Sequence, residues 1–210
     1  PPKQEIDMSQ SAHSDVTPVF ISDEVAADGD WIVTAARPNT TATLANTSFA
    51  SGGARLLAVT TAGTSDNGKT TTITGTNVFD NVISEVIVST GSAEAVAGTK
   101  YFKTVSSVVC SAQYAGNITV GSLAGAAQAV GGGGGIRLKG FSVVSGGTAG
   151  VINYFNGTPE SGTILFKSRT IGTDNATVSD NMPGEGVLFT DGMTVQYTVA
   201  TVDMMTVFFA

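Results

Sequence analysis

Histidine and cysteine each occur once in the 210-residue sequence. Zinc and other transition metals need several such ligands, and a Ser-His-Asp or Cys-His nucleophile needs a histidine beside its partner. His13 stands in a polar N-terminal stretch, far in sequence from Cys110. We therefore predict no catalytic residue and no cofactor. Calcium is harder to exclude, because oxygen ligands such as Asp66, Asp80 and Asp174 stand at turns, but no twelve-residue calcium-loop spacing is present. Turn-forming residues are the default interpretation of these positions, so we predict no metal. Cys110 has no partner for an internal disulfide and lies in an apolar run, so we expect a small core residue.

Charged residues and long apolar runs are also scarce. Only 13% of residues are charged, about half the usual share, and no apolar run approaches the ~18 residues of a membrane helix. The N-terminus lacks the apolar region of a signal peptide, so we expect a soluble protein made in a cytoplasm. The net charge is -7, and without a basic stripe neither nucleic acid nor a membrane is an expected partner.

The negative charge is concentrated at the N-terminus. Residues 1–30 contain one lysine and seven acids, namely Glu5, Asp7, Asp15, Asp23, Glu24, Asp28 and Asp30. Two interpretations fit this composition: an arm that lies on a basic partner surface, or a solvated terminus. We predict an extended acidic arm over 1–30. Its expected interaction residues are Glu5, Asp7, Asp15, Asp23 and Glu24.

The rest of the chain is rich in Gly, Thr, Ser, Val and Ala, a composition typical of antiparallel sheets with many turns. Turn signals recur about every 8 to 15 residues, and no helical period is present. This pattern predicts an all-β fold. Weak strands are predicted at 31–33 and 40–44, and clearer ones at 55–60, 70–74, 82–88, 101–110, 117–120, 136–144, 151–155, 163–166, 175–178, 187–189, 193–199 and 204–209.

The segment from Gly63 to Thr70 matches the phosphate-loop pattern G-x-x-x-x-G-K-T. A phosphate loop needs a helix directly after its lysine, but the residues from Thr70 to Thr74 are all β-branched and disfavour one. Asp66 would also direct a negative charge at the phosphates. Asp66-Asn67-Gly68 is instead typical of a tight turn. We predict a hairpin between strands 55–60 and 70–74 rather than a nucleotide site.

Five consecutive glycines, Gly131 to Gly135, follow a run of small residues and separate two stretches with strand periodicity. Glycine loses the most conformational entropy when ordered, and small side chains offer little surface to a core. We therefore predict a linker at 123–135 between β module 1 (31–122) and β module 2 (136–210). The predicted fold is two small antiparallel β-sandwich or jelly-roll-like modules with an N-terminal arm.

The chain ends on an apolar strand. Exposing both Phe208 and Phe209 would forfeit about 1.5 to 3 kcal/mol of burial for each ring. We predict that this strand is buried in a sheet or an interface. Met204, Met205, Phe208 and Phe209 are accordingly expected to supply buried contact to a partner.

Two regions resemble structural proteins of tailed bacteriophages. Residues 98–109 (GTKYFKTVSSVV) and 115–121 (AGNITVG) are similar to a β module that recurs in these virion proteins. Residues 136–140 (IRLKG) and 182–189 (MPGEGVLF) resemble small β-sandwich virion proteins of marine and cyanobacterial phages. The resemblance extends over about residues 54–210 and leaves the acidic arm unmatched.

This resemblance implies a non-enzymatic virion protein with no catalytic residues to carry over. The leading hypothesis is a capsid decoration, or cement, protein that is assembled in the host cytoplasm and binds the major capsid protein as a homo-oligomer, expected to be a trimer. The alternative is a tail, adaptor or fibre-associated protein that contacts host surface polysaccharide. A cement protein would have hundreds of copies per particle, whereas the alternative predicts a low copy number and exposed aromatic platforms.

Overall fold

The structure, a computed structural model, describes residues 16–21, 26–49, 52–91, 93–133 and 135–210. Its secondary structure is all-β, as predicted, apart from one 3-10 turn at Val199–Thr201. The strands are β1 (Thr17–Ile21), β2 (Val33–Ala36), β3 (Ala54–Thr61), β4 (Thr70–Thr76), β5 (Val82–Val88), β6 (Ala95–Phe102), β7 (Thr104–Cys110), β8 (Ile118–Gly131), β9 (Ile136–Ser145), β10 (Val151–Asn156), β11 (Thr163–Arg169), β12 (Thr177–Asn181), β13 (Val187–Phe189), β14 (Met193–Thr198) and β15 (Val202–Phe209).

These strands form three antiparallel sheets. The seven-stranded sheet has the order β11-β10-β14-β8-β3-β6, with β2 also paired to β8. The five-stranded sheet has the order β1-β15-β9-β12, with β13 also paired to β9. The three-stranded sheet has the order β5-β4-β7. Strands from both predicted modules therefore share the seven-stranded sheet.

Two large hydrophobic cores lie against the seven-stranded sheet. One joins β8, β10 and β14 to the five-stranded sheet and includes Tyr154, Phe141 and Met205. The other joins β2, β3, β6 and β8 to the three-stranded sheet and includes Leu57 and Ile73. Because alternate residues of a strand face opposite sides, each smaller sheet buries one face and exposes the other.

The predicted linker is wrong over most of its length. Residues 123–131 form the second half of β8, which is paired on both sides, with β3 through Ala54↔Ala127 and with β14 through Gln128↔Val195. Small residues are required here because neighbouring groups approach the strand closely. A Cβ at Gly121 would collide with the Asp28 carbonyl oxygen, and one at Gly125 would lie 3.1 Å from the Tyr101 hydroxyl.

The predicted hairpin between 55–60 and 70–74 is also wrong, although both strands exist as β3 and β4. β3 pairs with β6 and β8, whereas β4 pairs with β5 and β7 in another sheet. The turn does form, with Gly68 at φ +78°. The local sequence is enough to predict the turn between β3 and β4. The strands with which β3 and β4 pair depend on residues far along the chain.

The N-terminal arm is docked on the fold in two places. β1 pairs with β15, and Ile21 is buried in the core. Farther along, Ser122 N donates to Asp28 O at 2.7 Å, and Asp28 N donates to Ser122 Oγ at 3.0 Å. Thr17–Ile21 is thus extended, but it and the residues around Asp28 pack on this chain's own fold instead of standing free of it.

The strands before β3 are shorter or displaced relative to the prediction. The weak strand at 31–33 is found as β2, two residues farther on. The weak strand at 40–44 is a single bridge between Thr41 and Val109. By contrast, the burial of the last strand in a sheet is confirmed, since β15 lies between β1 and β9.

Candidate interaction surfaces

Around β1 and β15, the outward face of the five-stranded sheet is apolar and uncharged. Toward β13, by contrast, Arg137 and Lys139 of β9 alternate with the core residues Ile136 and Leu138 and lie on the outward side. Cross-strand partners project to the same face, and Phe20 pairs with Thr206, which pairs with Ser142. Phe20 is 60% exposed and Met204 39% exposed. We call this surface the methionine–phenylalanine face; it consists of Pro18, Phe20, Met204, Thr206, Phe208, Ser142, Val144 and Ser179.

The four predicted contact residues of β15 separate onto its two faces. Met204 and Phe208 belong to the methionine–phenylalanine face, where Phe208 is half-buried. Met205 is fully buried in the core, and Phe209 packs against that core. Met205 and Phe209 therefore stabilise this chain itself, and their predicted contact with a partner is corrected. The reason is strand alternation, which the β-bulge between Phe208 and Phe209 interrupts.

The predicted acidic interaction residues, Glu5, Asp7, Asp15, Asp23 and Glu24, lie outside the described residues, as does His13. Their chain does enter the fold at a defined place. The described structure begins with Val16 and β1, which borders the methionine–phenylalanine face. The acidic residues 1–15 are thus connected directly to the edge of that face.

The outward face of the three-stranded sheet carries rows of valine and threonine. The register aligns Val86, Thr72 and Val109 in one row across its strands. We call this surface the valine–threonine face; it consists of Thr70, Thr72, Thr74, Thr76, Val82, Ser84, Val86, Val88, Thr104, Ser107 and Val109. None of these residues is charged.

The valines of this face are strongly exposed: Val82 by 79%, Val86 by 57%, Val88 by 51% and Val109 by 39%. Four exposed valines on one face of a sheet mark an interaction site more often than an isolated exposed valine does. Sequence reasoning missed this face. The signal was present in β5, whose sequence VISEVIV is apolar on both faces, as in strands that are covered on both sides.

The edges of the three-stranded sheet are covered, in contrast to its outward face. Beyond β5, the Glu85 carboxylate accepts from Thr99 N at 2.6 Å and Thr99 Oγ1 at 2.8 Å, both on β6. Beyond β7, Ala42 N donates to Val108 O at 2.9 Å, and Val105 N donates to Thr47 O at 2.8 Å. The bonds beyond β7 satisfy edge groups that otherwise recruit a foreign strand, and Glu85 ties β5 to β6, so the surface left open is the outward face.

In the segment that matches the phosphate-loop pattern, Asp66 and Lys69 form a structural clamp, which we call the Asp66 clamp. Asp66 is fully buried, and its Oδ1 accepts from Ala115 N at 2.7 Å and Lys69 Nζ at 2.8 Å. Lys69 Nζ also donates to Gln113 O at 2.6 Å and lies 5.5 Å from the centre of the Tyr114 ring. β4 begins directly after the lysine, where a nucleotide site would need a helix. Lys69 is therefore already paired with the Asp66 carboxylate of its own loop.

An open groove of about 520 Å³ lies between the β4–β5 and β13–β14 turns, with Phe79, Asp80 and Asp191 among its lining residues. Both carboxylates are engaged. Asp80 holds Lys103 Nζ at 2.8 and 2.9 Å, and Asp191 Oδ2 accepts from Asn156 Nδ2 at 2.9 Å. Across the described ranges, no group of three or more His, Cys, Asp or Glu residues is placed to hold a metal ion.

Comparison with known proteins identifies no relative: no family model matches the chain, and no curated protein or solved structure is significantly similar to it. In the part of the chain that the structure describes, no helix is long and apolar enough to span a membrane. The two exposed sheet faces are therefore the features from which a function is inferred.

Proposed function

We propose that this chain is a non-enzymatic virion protein of a tailed bacteriophage, a capsid decoration protein that binds the major capsid protein on the capsid surface. The observation that carries the proposal is the methionine–phenylalanine face, whose edge strand β1 follows the acidic residues 1–15 in the chain. An apolar centre flanked by charge is the usual composition of a protein interface. The resemblance of segments in β6, β7 and β9 to phage virion proteins supplies the class of particle.

In this proposal the two parts of the surface act differently. Phe20 and Met204 supply apolar area that is removed from water on binding. Glu5, Asp7 and Asp15 supply negative charge that accelerates encounter with a basic capsid surface and orients the chain on it. Assembly as a symmetric oligomer would let several weak contacts act together on the lattice.

The alternative, a tail or fibre protein that contacts host polysaccharide, has less support from the side chains. All four tyrosines are buried: Tyr101, Tyr114, Tyr154 and Tyr197. Trp31 is half-buried, and its Nε1 donates to Ser48 O at 2.9 Å. Among the described residues Phe20 is the exposed aromatic side chain. A sugar-stacking platform would need flat aromatic rings open to solvent.

The first test is the copy number of this chain in purified particles, measured by quantitative mass spectrometry against the major capsid protein. We expect a ratio near one copy per capsid subunit. A few copies per hundred subunits would support the tail or vertex alternative. Absence from the particle would overturn the virion proposal.

The second test measures binding to particles that lack this chain. Phe20→Lys should lower the affinity about tenfold or more, because it places a charge in the apolar contact. The matched control is Leu165→Lys on β11, since Leu165 is also exposed but lies outside the face. Deletion of 1–15 should slow association without unfolding the protein, whereas deletion of 1–30 would also remove β1. Unchanged affinity for Phe20→Lys would exclude this face as the capsid contact.

A further inference from the structure

We propose that residues 4–8 of this chain (QEIDM) dock as an added strand on the open edge of β11, with Glu5 and Asp7 against Lys167 and Arg169. The inference goes beyond the proposed virion function and does not rest on it. It follows from two unpaired cations, an open strand edge and the complementary sequence of residues 4–8, which lie outside the described residues.

Lys167 and Arg169 carry the unpaired positive charge of the described structure. Both are exposed, and neither has a hydrogen bond or an ion pair with another described residue. They stand two residues apart on β11, so both project from the same side of the strand. This pair of like charges attracts an acidic segment. The other described cations each contact a carboxylate or a backbone carbonyl oxygen: Arg37, Arg55, Lys69, Lys100, Lys103, Arg137 and Lys139.

The outer edge of β11 is open to another strand. In the described part of the chain β11 pairs with β10 alone, and five of its seven residues are exposed. Alternate amide and carbonyl groups of an edge strand point away from its partner and can bind a further strand. Lysine and arginine on this edge repel a second β11 but attract an acidic strand. Of the other sheet edges, β12 carries Asp180, β1 is uncharged, and Lys100 of β6 already donates to Ser84 O.

Residues 4–8 have the matching alternation. In an extended segment Glu5 and Asp7 project to one side, about 7 Å apart. The two cations of β11 have the same spacing, so both ion pairs form whether the added strand runs parallel or antiparallel. The intervening Ile6 projects to the other side, where Phe166 of β11 is half-buried against the core. Apolar contact and main-chain hydrogen bonds add to ion pairs that are weak when exposed, so a basic capsid surface can still compete for the two acids.

The chain between Met8 and β1 is long enough for this contact within one copy. The register across β1, β15, β9 and β13 aligns Thr17 with Val187, three strand spacings or about 14 Å away. β11 lies beside β13 in the facing sheet, about 10 Å from it. Residues 9–16 can extend over about 26 Å, which spans both distances. A tethered segment also has a high effective concentration, so the chain's own residues 4–8 are favoured over those of a second copy.

The test is amide hydrogen exchange, followed by NMR, of the full chain and of a chain that lacks residues 1–15. The outward amides of β11 should exchange at least about threefold faster in the truncated chain, because their acceptors are gone. Lys167→Gln combined with Arg169→Gln should have the same effect in the full chain. The matched control is Arg137→Gln combined with Lys139→Gln, a pair with the same spacing on β9 that is already bonded within the structure; it should leave β11 unchanged. The amides of β12 serve as the internal reference.

Charge reversal separates ion pairing from a general change in stability. Glu5→Lys with Asp7→Lys should also speed exchange in β11, and adding Lys167→Glu with Arg169→Glu should restore the protection. Equal exchange in the full and truncated chains overturns the inference, and so does a failure of the reversed pairs to restore protection. Protection that disappears on about tenfold dilution would assign the segment to a second copy and overturn docking within one chain. None of these results depends on binding to particles, so the virion proposal is tested separately.

Discussion

The Gln196 side-chain amide on β14 donates a 2.6 Å hydrogen bond to the Tyr101 hydroxyl on β6. Gln196 Oε1 in turn accepts from Asn153 Nδ2 on β10 at 2.8 Å, and Tyr101 N donates to Glu160 Oε1 at 2.7 Å. Burial raises the pKa of the Tyr101 hydroxyl, so this group stays protonated near neutral pH. These bonds join the two halves of the chain across the seven-stranded sheet.

We expect Tyr101→Phe to lower the free energy of unfolding by about 1 to 3 kcal/mol, because it leaves the Gln196 amide without its acceptor. Equilibrium unfolding in urea measures this loss. A double-mutant cycle with Gln196→Leu supplies the control, since the double variant removes both partners. If the two single effects simply add, the hydrogen bond does not couple the two halves.

The small residues of β8 can be tested individually. We expect Gly121→Ala to destabilise the protein by about 1 to 3 kcal/mol, the usual effect of overpacking, because the new methyl group collides with the backbone of Asp28 and Gly29. Gly132→Ala is the control, since its nearest neighbour is Phe79 Cδ1 at 3.9 Å. Thermal unfolding of both variants measures the difference. Equal melting temperatures would contradict the close packing described for β8.

Strands with clear local patterns were predictable from the sequence. β5 and β13 have the predicted bounds, and β9 extends the prediction by one residue. In these segments, β-branched and aromatic residues alternate between turn signals, so local propensity and the final sheet agree.

Features that depend on distant contacts were not predictable. The small residues of β8 have the composition of a linker; they form a strand because the Asp28 backbone and the Tyr101 side chain pack onto it. β3 and β4 flank a genuine turn but pair with other strands, because their partners lie far along the chain. The composition of a segment indicates how flexible its backbone is on its own. It does not indicate which distant residues will pack against the segment and order it.

The candidate surfaces were only partly predictable. Sequence indicated that β15 is apolar, but the separation of Met204 from Met205 depends on which face the register directs to the core. The exposure of Val86 and Thr72 could not be predicted either. It depends on whether another layer covers the three-stranded sheet, and their local sequence carries no information about that.

The Asp66 clamp predicts how stability depends on pH. Burial alone would raise the Asp66 pKa, but the hydrogen bond and charge of Lys69 and the amides of Ala115 and Gly116 outweigh it and hold the pKa below the usual 3.8. A carboxylate whose pKa is lower in the folded state stabilises the protein above its unfolded pKa. That contribution is lost as pH falls from about 3.8 through the lower folded value.

Asp66→Asn should therefore have a smaller loss of stability between about pH 5 and pH 2 than the wild type, because it removes one titrating group. At neutral pH it should be less stable, since Lys69 loses its charged partner. Urea unfolding at several pH values measures both effects. Asp180→Asn is a suitable control, because Asp180 is exposed on the edge strand β12. Parallel stability curves for the wild type and Asp66→Asn would contradict a lowered Asp66 pKa.

The buried thiol of Cys110 predicts when the native protein reacts with disulfide reagents. Burial raises the pKa of Cys110 despite a hydrogen bond with Thr71, which reduces the thiolate fraction at neutral pH. The side chain is also only 3% exposed. We expect Cys110 to react with an aromatic disulfide no faster than the protein opens, so that the rate becomes independent of reagent concentration at high reagent. Ser106→Cys on the same strand supplies an internal control, because position 106 is exposed and its thiol should react at once. If both thiols react rapidly, the prediction is wrong. Cys110, which packs with Tyr114 and Ile118, would then become accessible by local opening of β7 and not by global unfolding.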